Sequence, residues 1–263
     1  MRTAAMPMKP GRVSPVRRKQ TPVIHVVEKT LGGLVLLGIL VAAAVYVPKT
    51  SYFRVEKLSF ENLYALDEAT VRDAAGITVE DNILFLNGNE VAARVEKLPY
   101  VKKCEVVKSI RPNDVLLRIT ERKAAATIMV NNHLFEVDRE LVVLRELSPF
   151  ALHTGPLITN LPGLIALEPG NRLQSQELEA ALKLWEVFQT LPFACDLKLS
   201  ELSAEGKDQL RMFFEELPYE MRWGRSDFET QANRLAILWD EMSGFIPCEQ
   251  YLDLRFDADL VCK

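Results

Sequence analysis

Residues 30–48 form a run of nineteen residues without a charge, and this run constrains the chain more than any other feature of its sequence. As an α-helix the run would be about 28 Å long, close to the thickness of the hydrocarbon core of a bilayer. Residues 1–29 hold seven lysines or arginines and one acidic residue, Glu28. Because basic residues stay on the cytoplasmic side of a membrane, the sequence predicts a single transmembrane helix at 30–48, with residues 1–29 in the cytoplasm and 50–263 outside it.

The alternative to an anchor is a cleaved signal peptide, because Ala42 and Ala44 have the small-residue spacing of a cleavage site. Its basic region would be unusually long, and the apolar run exceeds a usual signal core, so we expect an uncleaved anchor. The tail before it contains four prolines and few large apolar residues, which predicts a disordered tether. The tether would signal topology or contact a cytoplasmic partner or anionic lipid.

The part of the chain that follows the tail is acidic, because the whole chain has a net charge of −4 despite its basic start. Nucleic-acid-binding folds collect lysine and arginine on the folded surface. The sequence therefore predicts no nucleic-acid partner.

Residues 50–123 show the periodicity of a small domain with the element order β-α-α-β-β. Asp67 can cap the first helix, and Gly76 lies where that helix should end. Pro99 ends the second helix, and the pattern changes character near Ala124, where we place a domain boundary. The predicted elements are a strand within 53–63, helices at 67–76 and 87–98, and strands at 101–109 and 115–121.

Residues 124–263 predict a mixed α/β domain with a largely antiparallel sheet, so the fold class is α+β. Asn131 and Asn132 separate two strand-like runs as a hairpin turn would. Ser226 and Glu229 have the spacing of a capping box that opens a helix, and Met242 would face the core before Gly244 stops it. The predicted strands are 126–130, 134–138, 141–144, 197–203, 208–214, 251–256 and 260–262, and a further helix covers 175–190.

The sequence offers little for catalysis, and we predict neither an enzyme nor a metal or cofactor site. His153, Ser148 and Asp138 could be drawn as a hydrolytic triad, but no nucleophile-elbow sequence surrounds the serine. The chain has no phosphate-binding glycine loop, no dinucleotide fingerprint and no zinc-protease motif. Its four cysteines lack the paired spacing of metal ligands.

All four cysteines follow the apolar run, in a compartment that permits disulfides. Cys104 follows strand parity and is interpreted as a small core residue. Cys248 and Cys262 bracket an extended segment that should hold them apart, so we expect no bond between these two. The pairing of the others stays open.

Several segments in succession resemble the FtsQ/DivIB family of bacterial cell-division proteins. They are PheArgValGluLysLeuSerPheGluAsnLeu (53–63), AspAsnIleLeuPheLeuAsn (81–87), LeuProTyrValLysLysCysGluVal (98–106) and ArgProAsnAspValLeuLeuArgIleThrGluArgLysAlaAla (111–125). The most specific is AspLeuArgPhe (253–256), which is similar to the Asp-Leu-Arg-Tyr ending of the family, with Phe256 in place of tyrosine. The resemblance covers nearly the whole chain and implies a polypeptide-transport-associated (POTRA) domain at 50–123 and an FtsQ-type β domain at 124–263.

The resemblance also implies a function. Such a protein would be a single-pass scaffold of the inner membrane at the division septum. It would link early and late division proteins and assist the control of septal peptidoglycan synthesis. Its terminal strands would bind the extracytoplasmic parts of FtsB and FtsL, and its POTRA domain would contact other division proteins. The alternative is a membrane-anchored POTRA protein of polypeptide transport or outer-membrane assembly, although such proteins usually carry several POTRA modules and a barrel.

The expected partner-binding site is the last sheet edge, because a terminal strand leaves main-chain groups to which a partner strand can add. In the segment before it, Leu252, Leu254 and Phe256 would form a core face, opposite Tyr251, Asp253 and Arg255. We expect Leu254 to pack in the core and Asp253 to make a turn or a local ion pair. The residues predicted to bind the partner are Tyr251, Arg255, Phe256, Ala258, Leu260 and Val261.

Overall fold

The computed structural model describes residues 23–47, 50–224, 227–256 and 260–263. Its first helix is α1 (Val23–Tyr46), and the chain divides by its contacts into two units, Met1–Phe53 and Arg54–Lys263. Over the residues described, no helix combines the length and the apolarity needed to cross a membrane, so the span predicted at 30–48 is not confirmed. Most of the predicted basic tail lies outside the described residues.

The second unit begins with the predicted order β-α-α-β-β, which is confirmed. Its elements are β1 (Lys57–Glu61), α2 (Glu68–Ala75), α3 (Gly88–Val95), β2 (Val101–Ser109) and β3 (Asp114–Glu121). β3 lies at the centre of a three-stranded sheet, parallel to β1 and antiparallel to β2. Cys104 of β2 is buried, as expected for a small core residue, and burial raises the pKa of its thiol to about 11.

The start and end of α2 follow from local chemistry that the sequence displays. The Asp67 side chain accepts a hydrogen bond from the backbone N–H of Thr70 at 3.2 Å, which satisfies one of the free donors of the first turn. Gly76 ends the helix at φ 60°, a left-handed conformation that glycine adopts without steric cost. Both predictions for this helix are confirmed.

A nine-stranded mixed sheet forms the rest of the unit. Its elements are β4 (Ala124–Val130), β5 (His133–Asp138), β6 (Val143–Leu147), β7 (Leu157–Thr159), α4 (Gln176–Phe188), β8 (Leu199–Gly206), β9 (Gln209–Phe214), β10 (Glu220–Trp223), α5 (Phe228–Glu241), β11 (Tyr251–Asp253) and β12 (Val261–Cys262). The strand order is β12-β11-β10-β9-β8-β7-β4-β5-β6. Among the described strands five of the eight pairings are antiparallel, as predicted, and the parallel ones are β10–β11, β4–β7 and β7–β8.

The helix α5 begins one residue later than the sequence predicts. Asp227 is its N-cap and accepts a hydrogen bond from the backbone N–H of Thr230 at 3.4 Å, so the capping box predicted from Ser226 is wrong. Ser226 itself lies outside the described residues. Met242, expected to face the core, is 39% exposed, because the helix ends at Glu241 and Met242 lies at its C-cap.

The core of the nine-stranded sheet contains an aromatic cluster around Phe188 of α4. The Phe188 ring stacks on Phe214 at 5.0 Å between centroids. It meets Phe193 and Trp223 edge-on at 6.2 and 6.3 Å. Phe188 and Trp223 are fully buried, so their contacts help to fix α4 on the sheet.

A buried carboxylate joins the three-stranded part to the nine-stranded sheet. Glu136 of β5 accepts hydrogen bonds from Tyr100 Oη at 2.7 Å, Arg145 Nε at 2.8 Å and Thr154 Oγ1 at 2.8 Å. Burial acts to raise the pKa of Glu136, but these hydrogen bonds outweigh it and the pKa is lowered. Burial, with the hydrogen bond to Glu136, raises the pKa of Tyr100 to about 12. The Glu136 carboxylate is therefore ionised at neutral pH.

A second polar cluster lies beside the short link from β3 to β4. Arg122 Nη1 donates to Asp138 at 2.7 Å and to Glu140 at 2.8 Å, and Lys102 Nζ donates to Glu140 at 2.5 Å. Hydrogen bonds from Lys102 and Arg122 lower the pKa of Glu140 to about 2. Asp138, which the sequence places in a conceivable triad with His153 and Ser148, is buried and pairs with Arg122 in this structural contact.

Candidate functional site at the β12 edge

The strand β12 lies at one end of the nine-stranded sheet and pairs with β11 on one side. Lys263 and Tyr251 exchange two backbone hydrogen bonds, of 3.1 and 3.3 Å. In an antiparallel pair hydrogen-bonded and non-hydrogen-bonded positions alternate, so Cys262, opposite Leu252, directs its N–H and C=O away from β11. Among the described strands none lies beyond β12, and this edge can accept an additional strand.

The opposite end of the sheet differs, because part of the chain itself covers β6. The N–H of Val143 donates to the carbonyl of Asn171 at 3.0 Å, and the N–H of Gly170 donates to the carbonyl of Val143 at 2.8 Å. The loop that contains Gly170 and Asn171 therefore occupies the edge at Val143. The β12 edge is the better candidate for partner binding.

A disulfide joins Cys248 to Cys262, with the Cα atoms 5.3 Å apart. The expectation that these two cysteines would stay apart is wrong. The chain reverses direction after β11, and the antiparallel pairing of β12 with β11 returns Cys262 to the start of β11, next to Cys248. The disulfide therefore fastens the edge strand to the segment that precedes its neighbour.

Two of the predicted binding residues lie on β11 and β12 with different exposure. Tyr251 is half-buried, and the Arg222 guanidinium carbon lies 3.8 Å from the centre of its ring, a cation–π contact. Val261, opposite Asp253, is 37% exposed. Leu260 packs partly against the core, and Ala258 lies outside the described residues.

Arg255 and Asp253 form the local ion pair that the sequence predicts. Arg255 Nη2 donates to Asp253 Oδ2 at 2.6 Å, and Arg255 Nε donates to Oδ1 at 2.9 Å. Burial acts to raise the pKa of the Asp253 carboxyl, but hydrogen bonds from Arg255 outweigh it, and the net pKa lies below the usual value of 3.8. The charge of Arg255 is thus already neutralised within the chain.

This pair has a predictable pH dependence. Because the folded-state pKa of Asp253 is lowered, its contribution to stability is complete above the ordinary aspartate value of 3.8. The contribution should be lost as the pH falls below that value and through the folded-state pKa. A carboxyl titration followed by NMR should show Asp253 titrating below an ordinary aspartate. In Arg255→Ala the pKa of Asp253 should rise, because the effect of burial remains while the hydrogen bonds from Arg255 are lost. An unchanged pKa of Asp253 in this variant would contradict the ion-pair explanation.

The core face predicted for Leu252, Leu254 and Phe256 holds only as far as Leu254. Leu252 and Leu254 are fully buried, as expected, but Phe256 is 43% exposed. The strand ends at Asp253, the N–H of Leu254 makes a last bond to the carbonyl of Arg222 at 2.9 Å, and the alternation of faces then stops. Phe256 therefore lies at the surface, three residues beyond the end of β11.

The chain after β11 is held by a residue that sequence reasoning missed. Arg234 of α5 donates from Nη2 to the carbonyl of Leu254 at 2.9 Å and from Nη1 to the carbonyl of Phe256. Arg234 lies on a helix twenty residues upstream, and no sequence pattern links it to the final strands. It fixes the backbone that leads out of the sheet.

Comparison with protein families gives two successive matches. The model of the POTRA domain of FtsQ type matches residues 53–122. The model described as cell division protein FtsQ/DivIB, C-terminal, matches residues 126–255. Phe256, Leu260 and Val261 lie beyond the second matched range. The models describe a family of cell-division proteins and not a family of enzymes.

Individual relatives agree with the family models. The chain is 24% identical over 274 residues to the cell division protein FtsQ of Geotalea daltonii, which covers 97% of each chain. It is 24% identical over 235 residues to that of Syntrophotalea carbinolica, covering 88% of this chain and 82% of the relative. Over 92 residues it is 30% identical to that of Streptomyces coelicolor, covering 35% and 34%. With both FtsQ-type models matched in succession, the chain belongs to the FtsQ/DivIB family of cell-division proteins.

Proposed function

We propose that this protein is a scaffold of the division complex that captures an extended segment of a partner by adding it to β12. The observation that supports the proposal is the outward direction of the Cys262 N–H and C=O at the end of the nine-stranded sheet. Strand addition of this kind draws its affinity from main-chain hydrogen bonds and its selectivity from alternate side chains. The partner that the family suggests is the extracytoplasmic part of FtsB or FtsL.

Side chains around the edge would contribute unequally. Val261 of β12 and Phe256, on the chain that leaves β11, both expose apolar surface and are the best candidates for selectivity. Arg255 pairs with Asp253, and Tyr251 with Arg222, so both are held in place before a partner arrives. Such pre-organisation reduces the entropy lost on binding.

The finer parts of the assignment belong to the same proposal. They are location at the division septum, an inner-membrane anchor at residues 30–48, contacts of the POTRA domain with other division proteins, and a link between early and late division proteins that assists septal peptidoglycan synthesis. The division into a POTRA domain at 50–123 and a β domain at 124–263 is also proposed. These parts rest on the family assignment and on the sequence.

Changing Val261 to aspartate tests the binding site. The variant places an unpaired charge at the edge, and we expect affinity for the FtsB or FtsL segment of the same organism to fall at least about tenfold, equivalent to about 1.4 kcal/mol. Isothermal titration calorimetry with the purified chain would measure this. Because Val261 lies opposite Asp253, thermal unfolding of the variant should establish that it is folded before the affinities are compared.

The matched control is Val107→Asp, since Val107 is also a strand valine and is 44% exposed, but on β2 of the three-stranded sheet. The affinity of Val107→Asp for the FtsB or FtsL segment should stay within about twofold of the wild type, as expected for a surface substitution outside the interface. Equal affinities of Val261→Asp and wild type would place the binding site elsewhere.

A further inference from the structure

The disulfide closes a loop that contains the whole candidate edge. Cys248 lies three residues before β11 and is buried at 4% exposure, whereas Cys262 lies in β12 and is exposed. The residues between the two cysteines include β11, the chain that connects it to β12, and Val261 of β12. One covalent bond therefore ties the end of this segment to a buried residue.

Without that bond, β12 would be held weakly. It is two residues long, and β11 is its neighbour on one side only. The Lys263 carbonyl accepts from the N–H groups of Glu249 and Gln250 at 2.9 and 2.6 Å, and from Tyr251. These few backbone bonds lie at the surface, where segments open locally at low free-energy cost.

We propose that the Cys248–Cys262 disulfide is a redox-controlled clamp on the docking edge. In the oxidised form it keeps β12 paired with β11 and available to a partner strand. Reduction by a dithiol frees β12, the edge loses its order, and the partner dissociates. The inference rests on the function proposed for this edge and adds its regulation.

The chemistry is ordinary thiol–disulfide exchange. A thiolate of the dithiol attacks Sγ of Cys262, the exposed partner. The S–S bond breaks, and its electron pair leaves on Sγ of Cys248, which takes up a proton. The second thiol of the reductant then displaces Cys262 from the mixed disulfide. The chain gains two electrons and two protons, and the dithiol leaves as a disulfide.

Among the described residues, the two cysteines outside the disulfide differ in their ability to react with the dithiol or with the disulfide. Cys104 is buried, and because its pKa is raised to about 11, little of it is thiolate at neutral pH. Cys195 is exposed, so its thiol is accessible to thiol–disulfide exchange in solution. The redox tests are therefore made in the Cys195→Ser protein. Cys195→Ser is also the matched control, because it removes one cysteine but leaves the Cys248–Cys262 disulfide intact.

The structural readout needs no partner. Hydrogen exchange measured on the full chain should show faster exchange of the β11 and β12 amides after reduction with dithiothreitol, while β4 and β5 stay protected. Cys248→Ser with Cys262→Ser should reproduce the reduced pattern, and thermal unfolding would establish that this variant is folded. Unchanged exchange on reduction would overturn the clamp whatever the partner is.

The binding readout uses the FtsB or FtsL segment. If reduction leaves β12 in place in about a tenth of the molecules, the apparent affinity should fall about tenfold. Cys195→Ser should bind as the wild type, and reoxidation should restore binding. Equal affinities of oxidised and reduced protein would overturn the inference alone. Absence of binding by the oxidised protein, with the exchange difference intact, would instead overturn the proposed partner function.

Discussion

Replacing Asp138 with alanine should lower the free energy of unfolding by about 2–4 kcal/mol, as expected when a buried charge and its hydrogen-bond donors lose their partner. The Asp138 carboxylate accepts from Arg122 at 2.7 Å and from the backbone N–H groups of Glu140 and Val142 at 2.9 and 2.8 Å. All three donors would lose this acceptor, and only Arg122 keeps a second one, Glu140. Denaturant unfolding would measure the change.

The same variant should loosen the contact between the two sheets, since Arg122 follows β3 and Asp138 ends β5. Scanning calorimetry should then resolve a broader or double transition. Arg139→Ala is the control, because its ion pair with Glu186 joins side chains that are 74% and 47% exposed. Exposed pairs contribute about 0–1 kcal/mol. Equal losses of unfolding free energy in Asp138→Ala and Arg139→Ala would show that the buried ion pair contributes no more to stability than the exposed one.

Replacing Phe188 with alanine should lower the free energy of unfolding by about 3–5 kcal/mol, the usual cost of removing a large aromatic side chain from a core. The ring is fully buried and touches Phe214, Phe193 and Trp223. Its removal loses buried apolar surface and leaves a cavity that α4 and the sheet cannot close, because both are fixed by other contacts.

Phe150→Ala is the matched control, since Phe150 is 97% exposed. Surface substitutions of this kind usually stay within about 0.5 kcal/mol. Urea unfolding of both variants would give the comparison. A loss below about 1 kcal/mol in Phe188→Ala would mean that the core collapses around the vacated space, contrary to close packing.

The features that the sequence predicted well depend on neighbouring residues. Asp67 and Gly76 delimit α2 through bonds within a few positions of each other. Asn131 and Asn132 form the hairpin turn with φ of 50° and 65°, a left-handed conformation that asparagine tolerates. Strand and helix periodicity is also local, which explains why the order of the elements could be predicted from the sequence.

The features that could not be predicted depend on how distant segments meet. The reversal between β11 and β12 brings Cys262 beside Cys248, and parity along one extended segment cannot show it. The support of Leu254 and Phe256 by Arg234 crosses from a helix to a strand end. Such pairs are determined by the tertiary fold and leave no fixed spacing in the sequence.

The position of β12 at the end of the sheet was predictable, but the exposure of the side chains around it was not. The final strand is an edge, as expected, and Val261 is exposed there. Arg255 is engaged by Asp253, and Leu260 is partly covered, because the chain folds back on itself at this point. Solvent exposure of single residues at such a reversal depends on contacts that periodicity does not encode.

The short link between β3, which ends at Glu121, and β4, which begins at Ala124, has a mechanical consequence. A pulling force applied to a segment docked on the large sheet would cross to the small one through the two linking residues, Arg122 and Lys123. The contacts of Arg122 with Asp138 and of Tyr100 with Glu136 lie in parallel with that link. They would share the load, so that the two sheets transmit tension as a stiff coupling and not as a free hinge.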